Sequence, residues 1–507
     1  MSVRDKIVKL FVSQKYDLVI SNFIESSPYL DNDDEILSLV GLSYSHIKNY
    51  TQAIKHFEKA YNANKKISYK YNLAITYTLS KNIDYAIDAY KSIISDDKNH
   101  ISSYVNLSDI YIKFCDYNKA IVLLKDITPK HKENILLNYN YGVALLEERR
   151  FELAITFFQN VVNVDANHRD ALYNQANSYR QLGDFKKSIS ICKKLISLNK
   201  SDSESIFNLG YCLFMLNNHK EGLELYESRF KLNSHLKPSF SPKGKSLIDY
   251  ANPKKSSTIL VIYEQGFGDT INFSGYVNKL KEIYKNVLFL VQPELISLFN
   301  ESFDCAFYTD YKSLPEYEYF IYVASLPLYS LRQGNNLKHP KPFLKTSLDT
   351  RKKWKKIISN NKRKKIGISW TSTQSNFIVR EINQYNFLSN LPEENDYFCL
   401  HKVIDDDDLD FINKKSNFHQ YCNDINNFHD TAALCQEMDE VITIDTSIAH
   451  LSSALGVKTT VLLAFVPDWR WGFQGTKSIW YENTNLIRQK KDGDWNQPLS
   501  DMLNCLK

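Results

Sequence analysis

The stretch NYGVALLEERRFELAITFFQNVVNVDANHRDALYNQA, residues 140–176, contains one full period of a repeat that runs through the first part of this 507-residue chain. Small residues recur every 33 or 34 positions, at Gly41, Ala74, Ser108, Gly142, Ala176 and Gly210. A second series keeps the same intervals, with Ala53, Ala86, Ala120, Ala154, Ser188 and Gly222. Small side chains at two places in each period let two helices pack closely, so each period predicts an antiparallel helix pair.

The period resembles the tetratricopeptide (TPR) repeat, which also carries an aromatic residue shortly after the first small residue. Four units have a tyrosine three positions on, at Tyr44, Tyr77, Tyr111 and Tyr179. The sequence therefore predicts a TPR α-solenoid of six repeats over residues 34–236. Residues 1–33 are expected to form a degenerate helix pair that precedes it.

One column of the repeats carries asparagine two positions before the small residue. Its members are Asn72, Asn106, Asn140, Asn174 and Asn208. In the TPR family this position faces the concave groove, and an amide offers both donors and an acceptor to the backbone of an extended peptide. Asparagine is also common here in TPR proteins that bind nothing extended. Peptide binding and a purely structural role both stay open.

The composition is that of a globular protein, with 43% hydrophobic and 24% charged residues. A net charge of +5 is too small to indicate nucleic acid or an anionic membrane as partner. Eight scattered cysteines without a C-x-x-C pair favour reduced thiols over a disulfide scaffold or a zinc site. Charges near the N-terminus and the lack of any run of ~18 apolar residues predict a soluble, cytoplasmic protein.

The pattern changes after the last repeat. Residues 237–257 are predicted to be a linker, and short apolar runs then alternate with amphipathic helices. Strands are expected at 258–263, 287–291, 319–323, 365–369, 397–400, 441–444 and 459–464. This alternation predicts two Rossmann-like α/β halves, residues 258–345 and 346–507, with ligand in the crevice at the carboxyl ends of the strands.

Three strand ends carry candidate chemistry. The first is Glu264–Thr270, where Asp269 is either a helix cap or a carboxylate base. The second follows the strand at 365–369 with the hydroxyls of Ser369, Thr371, Ser372 and Thr373 and, further on, Arg380, which suit a phosphate-bearing ligand.

The third strand end places Asp445, Thr446 and Ser447 at a helix N-terminus, where free N–H groups bind phosphate without a metal. His450, one turn into that helix, is expected near the ligand.

The segments EQGFGDT, DTAAL, DTSIAHLSSALG and FVPDWRW, with SLP at 325–327 and a late IRQ and GDW, resemble bacterial TPR proteins with a glycosyltransferase family 9-like, heptosyltransferase-like C-terminal half. The resemblance implies a GT-B fold and inverting sugar transfer without a metal. It implies that Asp269 is the base and that Asp445, Thr446, Ser447 and His450 hold the donor, with Arg380 as a supporting cation. Gly268 would lie on the acceptor side. The chain departs from the relatives at Thr371–Val379 and has Ser447 in place of the usual glycine.

The sequence thus favours a metal-independent inverting glycosyltransferase that uses a nucleotide-sugar and a protein acceptor held by the TPR groove, with no cofactor. The alternative is a non-catalytic TPR scaffold with a degenerate nucleotide-binding half. Trp469, Arg470 and Trp471 could frame the crevice, and His401 and Lys402 could touch the nucleotide. The Asp405–Asp408 run contains a D-x-D pattern but is expected to be a solvated loop rather than a metal site.

Overall fold

The computed structural model describes residues 2–232, 242–249, 253–339, 342–358, 363–371, 382 and 384–506. Contacts along the chain divide it into two compact units, Met1–Tyr179 and Arg180–Lys507. Each unit is described by itself. Among the described residues, no helix is both long and apolar enough to cross a membrane.

Unit 1 is built from successive helices that pack in pairs, as the repeat predicts. They are α1 (Val3–Val12), α2 (Tyr16–Leu30), α3 (Asp34–His46), α4 (Tyr50–Ala63), α5 (Ile67–Leu79), α6 (Ile83–Asp96), α7 (Ile101–Lys113), α8 (Tyr117–Leu124), α9 (Ile135–Glu147), α10 (Phe151–Val164) and α11 (Arg169–Gln181), whose last residues belong to unit 2. The small-residue columns lie where the helices of a pair meet. A Cβ at Gly142 would be 2.7 Å from the ring of Phe158, and one at Gly41 would be 2.9 Å from that of Phe57.

The turns inside the pairs share a left-handed residue. Its φ is +57° to +63° at Gln14, Lys48, Lys81, Cys115 and Arg149, which are 33 or 34 positions apart. None of these is glycine, the residue that adopts such a φ without strain. The turn at Gln14 keeps the same spacing, so the helix pair over 1–33 has the turn geometry of the later repeats.

Unit 2 begins with helices and continues with two parallel sheets. Its first helices are α12 (Phe185–Leu198), α13 (Ser203–Met215) and α14 (His219–Tyr226), the last followed by a 3-10 turn at Glu227–Lys231. The first sheet has strand order β1-β5-β2-β3-β4, with β1 (Lys245–Ser246), β2 (Thr258–Ile262), β3 (Asn286–Leu290), β4 (Ala306–Tyr308) and β5 (Tyr319–Tyr322). The second has order β11-β10-β9-β6-β7-β8, with β6 (Lys365–Ser369), β7 (Asp396–Cys399), β8 (Phe418–His419), β9 (Glu440–Ile444), β10 (Thr459–Leu463) and β11 (Thr484–Arg488).

All seven predicted strands are present, and their neighbours pair in parallel. The prediction missed β1, β4, β8 and β11. Three of these have only two or three residues, too few for a pattern, and β11 is a half-buried edge strand. The predicted linker at 237–257 contains β1, which pairs with β5.

Helices connect the strands and cover the sheets. In the first half of the α/β region these are α15 (Phe267–Ser274), α16 (Tyr276–Ile283), α17 (Ile296–Ser302) and α18 (Leu326–Arg332). The second half has α19 (Leu348–Ile357), α20 (Gln384–Ser389), α21 (Asp406–Asn413), α22 (Phe428–Gln436), α23 (Ser447–Ala454) and α24 (Asn496–Leu506). One apolar core joins the two halves, since buried side chains of β2 and β9 belong to it together with Phe214 of α13 and Trp469 and Trp480.

Replacing Lys81 by glycine should stabilise the chain, because Lys81 is exposed and its φ is +63°. In urea titrations we expect the free energy of unfolding of Lys81→Gly to be about 0.5–1 kcal/mol higher than that of Lys81→Ala, because alanine keeps the Cβ. Gly183→Ala should have the opposite effect, since φ is +74° there and the new Cβ would lie 2.7 Å from Phe473. Equal stability of the two Lys81 variants would contradict the strain argument.

Candidate functional site

The turn between β2 and α15 carries Asp269 in the first turn of the helix. The N-cap residue of the helix is Gly266, and Oδ2 of Asp269, at the third helical position, accepts the Gly266 N–H at 3.2 Å. The other oxygen, Oδ1, forms an ion pair with Arg470, and 15% of the side chain stays exposed. Gln265, in the same segment, has φ +60°, and its side chain is hydrogen-bonded to Tyr226 and to Arg470. The Asp269 carboxylate therefore both stabilises the start of α15 and forms an ion pair.

Arg470 lies in a 3-10 turn, Trp469–Trp471, beyond the carboxyl end of β10. Its guanidinium donates to Asp468 Oδ1 at 2.6 Å and to Gln265 Oε1 at 3.3 Å, and it lies 4.9 Å from the centre of the Trp469 ring. Burial lowers the pKa of Arg470 from its usual range. The sequence placed Arg470 at the rim of the crevice, whereas the structure places it against the proposed base.

The N-terminus of α23 holds the predicted phosphate-binding residues. Thr446 caps the helix, with Oγ1 accepting the N–H of Ile448 at 3.3 Å. Asp445 Oδ1 accepts the indole N–H of Trp471 at 2.7 Å. A helix N-terminus at the end of a parallel strand is a site where an anion can bind.

His450 is buried in an aromatic and polar network. Its ring stacks on Trp471 at 4.8 Å between centroids, and its Nδ1 lies 3.1 Å from the hydroxyl of Tyr481. That hydroxyl also bonds to the side-chain amide of Asn272 at 2.8 Å. The second and first halves are thus linked through Tyr481 and Asn272.

The two helix N-termini meet at Gly268. A Cβ placed there would lie 3.1 Å from Cδ2 of His450 and 3.4 Å from Cα of Ser447. The structure therefore brings together Gly268, Asp269, Ser447 and His450, four residues that the sequence assigned to one crevice. The crevice is closed at this point, because the two helices are in direct contact.

The end of β6 lies beside the end of β9, since Ser369 is the partner of Thr443 in the sheet. Thr371 follows two residues later and is half-buried. Ser372, Thr373 and Arg380, the other members of the predicted phosphate group, lie outside the described residues.

The Asp405–Asp408 run is solvated over its first three residues, as the sequence predicts, but it begins helix α21 instead of forming a loop. Asp405 caps α21 by accepting the N–H of Asp408 at 2.9 Å. Asp408 is buried and accepts the indole N–H of Trp370 at 2.7 Å, and burial raises the pKa of its carboxyl. Within the described ranges no group of three or more His, Cys, Asp or Glu side chains could hold a metal ion.

The nearby His401 bonds to the protein backbone. Its Nε2 accepts the backbone N–H of Trp370 at 3.2 Å, and burial lowers the pKa of its ring to about 4. Lys402 donates to the carbonyl of Asn426 at 2.9 Å.

The asparagine column of unit 1 links consecutive repeats. Asn106 donates to the hydroxyls of Tyr71 and Tyr90, each at 3.1 Å. Asn174 donates to the hydroxyl of Tyr139 at 3.4 Å. In these two cases the asparagine reaches a tyrosine 35 positions earlier.

For Asn140 the residue 35 positions earlier is Val105, which has no side-chain hydroxyl. Asn140 donates instead to the backbone carbonyl of Val105 at 3.2 Å and to Ser108 Oγ at 2.9 Å. An amide has two N–H hydrogens, and Asn106 and Asn140 use both inside the repeats. Asn140 is buried, so a peptide could reach only the carbonyl oxygen of the half-buried Asn106. The sequence signal for this link is the residue just before the asparagine of the preceding repeat, as Tyr71 is before Asn72 and Tyr139 is before Asn140. Asn72 is half-buried in the same unit, and Asn208 is buried in unit 2.

A buried charge network in unit 2 gave no recognisable signal in the sequence. Arg229, fully buried, makes two bonds to Glu264, from Nε at 2.9 Å and from Nη2 at 2.8 Å. It also donates to Glu227 at 2.7 Å and to Ser325 Oγ at 2.7 Å. Glu264 and Ser325 are 35 and 96 positions from Arg229, so only the fold reveals the network.

Comparisons with known proteins identify the repeats. A tetratricopeptide repeat model matches residues 34–67, and a model of the anaphase-promoting complex, cyclosome, subunit 3 matches residues 147–229. The N-terminal half therefore contains TPR repeats. A search of curated proteins found no match to the chain.

Solved structures resemble parts of the chain. A C-terminal part of a TPR protein from Cytophaga hutchinsonii is 17% identical over 46% of this chain and 95% of its own, with a TM-score of 0.40. MamA of AMB-1 is 22% identical over 33% of this chain and 92% of its own, with a TM-score of 0.30. YrrB, described as a TPR protein with an unusual peptide-binding site, is 16% identical over 36% of this chain and 95% of its own, with a TM-score of 0.33.

Replacing Gly268 by alanine should disturb the closed contact between α15 and α23. We expect the free energy of unfolding to fall by about 1–2 kcal/mol, because the new Cβ is 3.1 Å from His450 in a packed site. Gly266→Ala is the matched control two residues away, where a Cβ would meet only Asp269 Oδ2, at 3.5 Å. Equal unfolding midpoints for the two variants would argue against the contact.

Proposed function

We propose that the chain is a protein-interaction protein whose TPR repeats bind a protein or peptide partner. The observation that carries the proposal is the TPR match at residues 34–67 together with the packed helix pairs of unit 1. Such pairs stack into a surface that presents the same position of each repeat in turn. The asparagine column is one such position.

The proposed contact uses the acceptor side of the column. The donors of Asn106 are engaged within the repeats, whereas its carbonyl oxygen can accept an N–H group of an extended peptide. Asn72, Asn106 and Asn174 are half-buried, so part of each side chain is accessible to a partner. Such hydrogen bonds recognise the backbone of a peptide rather than its side chains.

We expect the full chain to bind a subset of peptides on an array of random 15-residue sequences. An Asn72→Ala/Asn174→Ala double variant should bind them at least about fivefold more weakly, since each lost hydrogen bond is worth roughly 0.5–1.5 kcal/mol. Asn62→Ala is the matched control, because Asn62 is exposed on α4 of the same unit. An array without bound peptides, or equal binding by all three proteins, would contradict the proposal.

A second candidate is the metal-independent inverting glycosyltransferase that the resemblance implies. The observation in its favour is that Asp269 and the N-terminus of α23 meet at Gly268, at the carboxyl ends of strands from two parallel sheets. In this proposal the N–H groups of α23 would hold the diphosphate of a nucleotide-sugar in a GT-B arrangement. Asp269 would accept the proton of the acceptor hydroxyl.

The geometry sets two conditions on that chemistry. The contact at Gly268 has to open before a ligand can lie between α15 and α23. The ion pair between Asp269 and Arg470 has to separate as well, since a carboxylate paired with a guanidinium is a weaker base.

Thermal unfolding with UDP, GDP, ADP, CMP and TDP and their sugars tests this candidate. A ligand at 100 times its Kd adds about 2.7 kcal/mol, which should raise the midpoint by several degrees. Asp269→Asn should keep the shift from the same nucleotide and lower any sugar transfer by roughly 100-fold or more. A chain that no nucleotide stabilises would be a protein-interaction protein without the transferase activity.

A further inference from the structure

The helical hairpin α13–α14, with the 3-10 turn at Glu227–Lys231, contacts both α/β halves of unit 2. We call these residues, Ser203–Lys231, the end hairpin. One side reaches the carboxyl ends of β2 and β5 in the first half, and the other reaches the loop after β10 in the second half. These two sides differ in the kind of interaction they make.

The contact with the first half is ionic, and its central pair, Arg229 and Glu264, is fully buried. Arg229 holds Glu264 with two hydrogen bonds, and Glu264 Oε1 also accepts the N–H of Ala324 at 3.1 Å. Glu227 accepts from the Ser325 hydroxyl at 2.9 Å. Gln265, which follows Glu264, donates to the hydroxyl of Tyr226 at 2.9 Å.

The contact with the second half is mainly aromatic, and the Tyr226 hydroxyl also bonds to the guanidinium of Arg470. The Tyr211 hydroxyl donates to the carbonyl of Pro467 at 2.7 Å. The ring of Phe214 lies edge-on to Trp469 at 4.7 Å and stacks on Trp480 at 6.0 Å. A neutral hydrogen bond and aromatic packing can be broken and remade without leaving a charge buried.

The two contacts therefore differ in the penalty for separation. Breaking the first would leave Arg229 or Glu264 as an unpaired buried charge, which is strongly destabilising. Breaking the second exposes aromatic rings and the Pro467 carbonyl, and it separates Arg470 from Asp269, but Arg470 keeps its ion pair with Asp468 of its own half. When the two halves move apart, the weaker contact opens first.

We infer that the end hairpin and the first half form one rigid body, and that the crevice opens by movement of the second half away from the hairpin. The second half is held to this body at the crevice by Arg470, which bridges to Asp269 and Gln265. The end hairpin is thus a tether that sets the direction of opening. The inference does not depend on which ligand enters the crevice.

The test is amide hydrogen exchange, measured by mass spectrometry on the full chain and on Tyr211→Phe. The variant keeps the ring and removes only the hydroxyl that binds Pro467. We expect exchange about fivefold faster at residues 465–471 and 266–270, the segments that meet across the crevice. Exchange at 223–231 and 259–264 should match that of the wild type.

Tyr284→Phe is the matched control. It removes a buried hydroxyl whose partner is Tyr329, so both residues of this bond lie within the first half. It should leave exchange at 465–471 unchanged. A second variant, Phe214→Leu, reduces the aromatic contact while keeping an apolar side chain, and it should have the same effect as Tyr211→Phe.

Faster exchange at 223–231 and 259–264 in Tyr211→Phe or Phe214→Leu would overturn the inference, because the hairpin would then separate from the first half. Exchange that is unchanged in every segment of both variants would also overturn it, since the contacts removed would not hold the crevice closed.

Discussion

A fully buried guanidinium has to be neutralised and hydrogen-bonded by its surroundings, and Arg229 obtains this from three separate segments of unit 2. Burial by itself would lower the pKa of Arg229, but Glu227 and Glu264 raise it, so the side chain stays charged. Removing one partner of such a pair costs about 3–5 kcal/mol, a large part of the ~5–15 kcal/mol that stabilises a typical domain. Because the partners include Glu264 and Ser325, this one charge fixes the end hairpin to the ends of β2 and β5.

That anchor determines the candidate site, because Glu264 is followed directly by the turn that carries Asp269. Tyr226 of the same hairpin holds Gln265 in its left-handed conformation, and Arg470 holds it from the other side. Asp269 lies between them at the start of α15. The position of the proposed base is therefore set by helices of the repeat region as well as by the sheet that precedes it.

The sequence predicts what depends on local pattern and misses what depends on tertiary pairing. A period of 34 residues reveals the helix pairs, and long apolar runs reveal the seven central strands. The bond of Arg229 to Glu264 joins a helical hairpin to the end of a strand, and no periodic pattern predicts it. Asp408 shows the same limit, since an acidic run predicts solvent exposure while a single indole N–H from Trp370 buries one member.

The charges at the crevice separate the two candidate functions. Arg470 faces two carboxylates, Asp269 and Asp468, so the group carries a formal charge of −1. A diphosphate would add negative charge beside it, and the dipole of α23 offers only about half a positive charge in return. In the transferase proposal, Arg470 would leave a carboxylate and pair with the phosphate, and this is the movement that would open the crevice. Partner binding by the repeats of unit 1 requires no such exchange, and for this reason the protein-interaction function is the one that the described geometry supports without rearrangement.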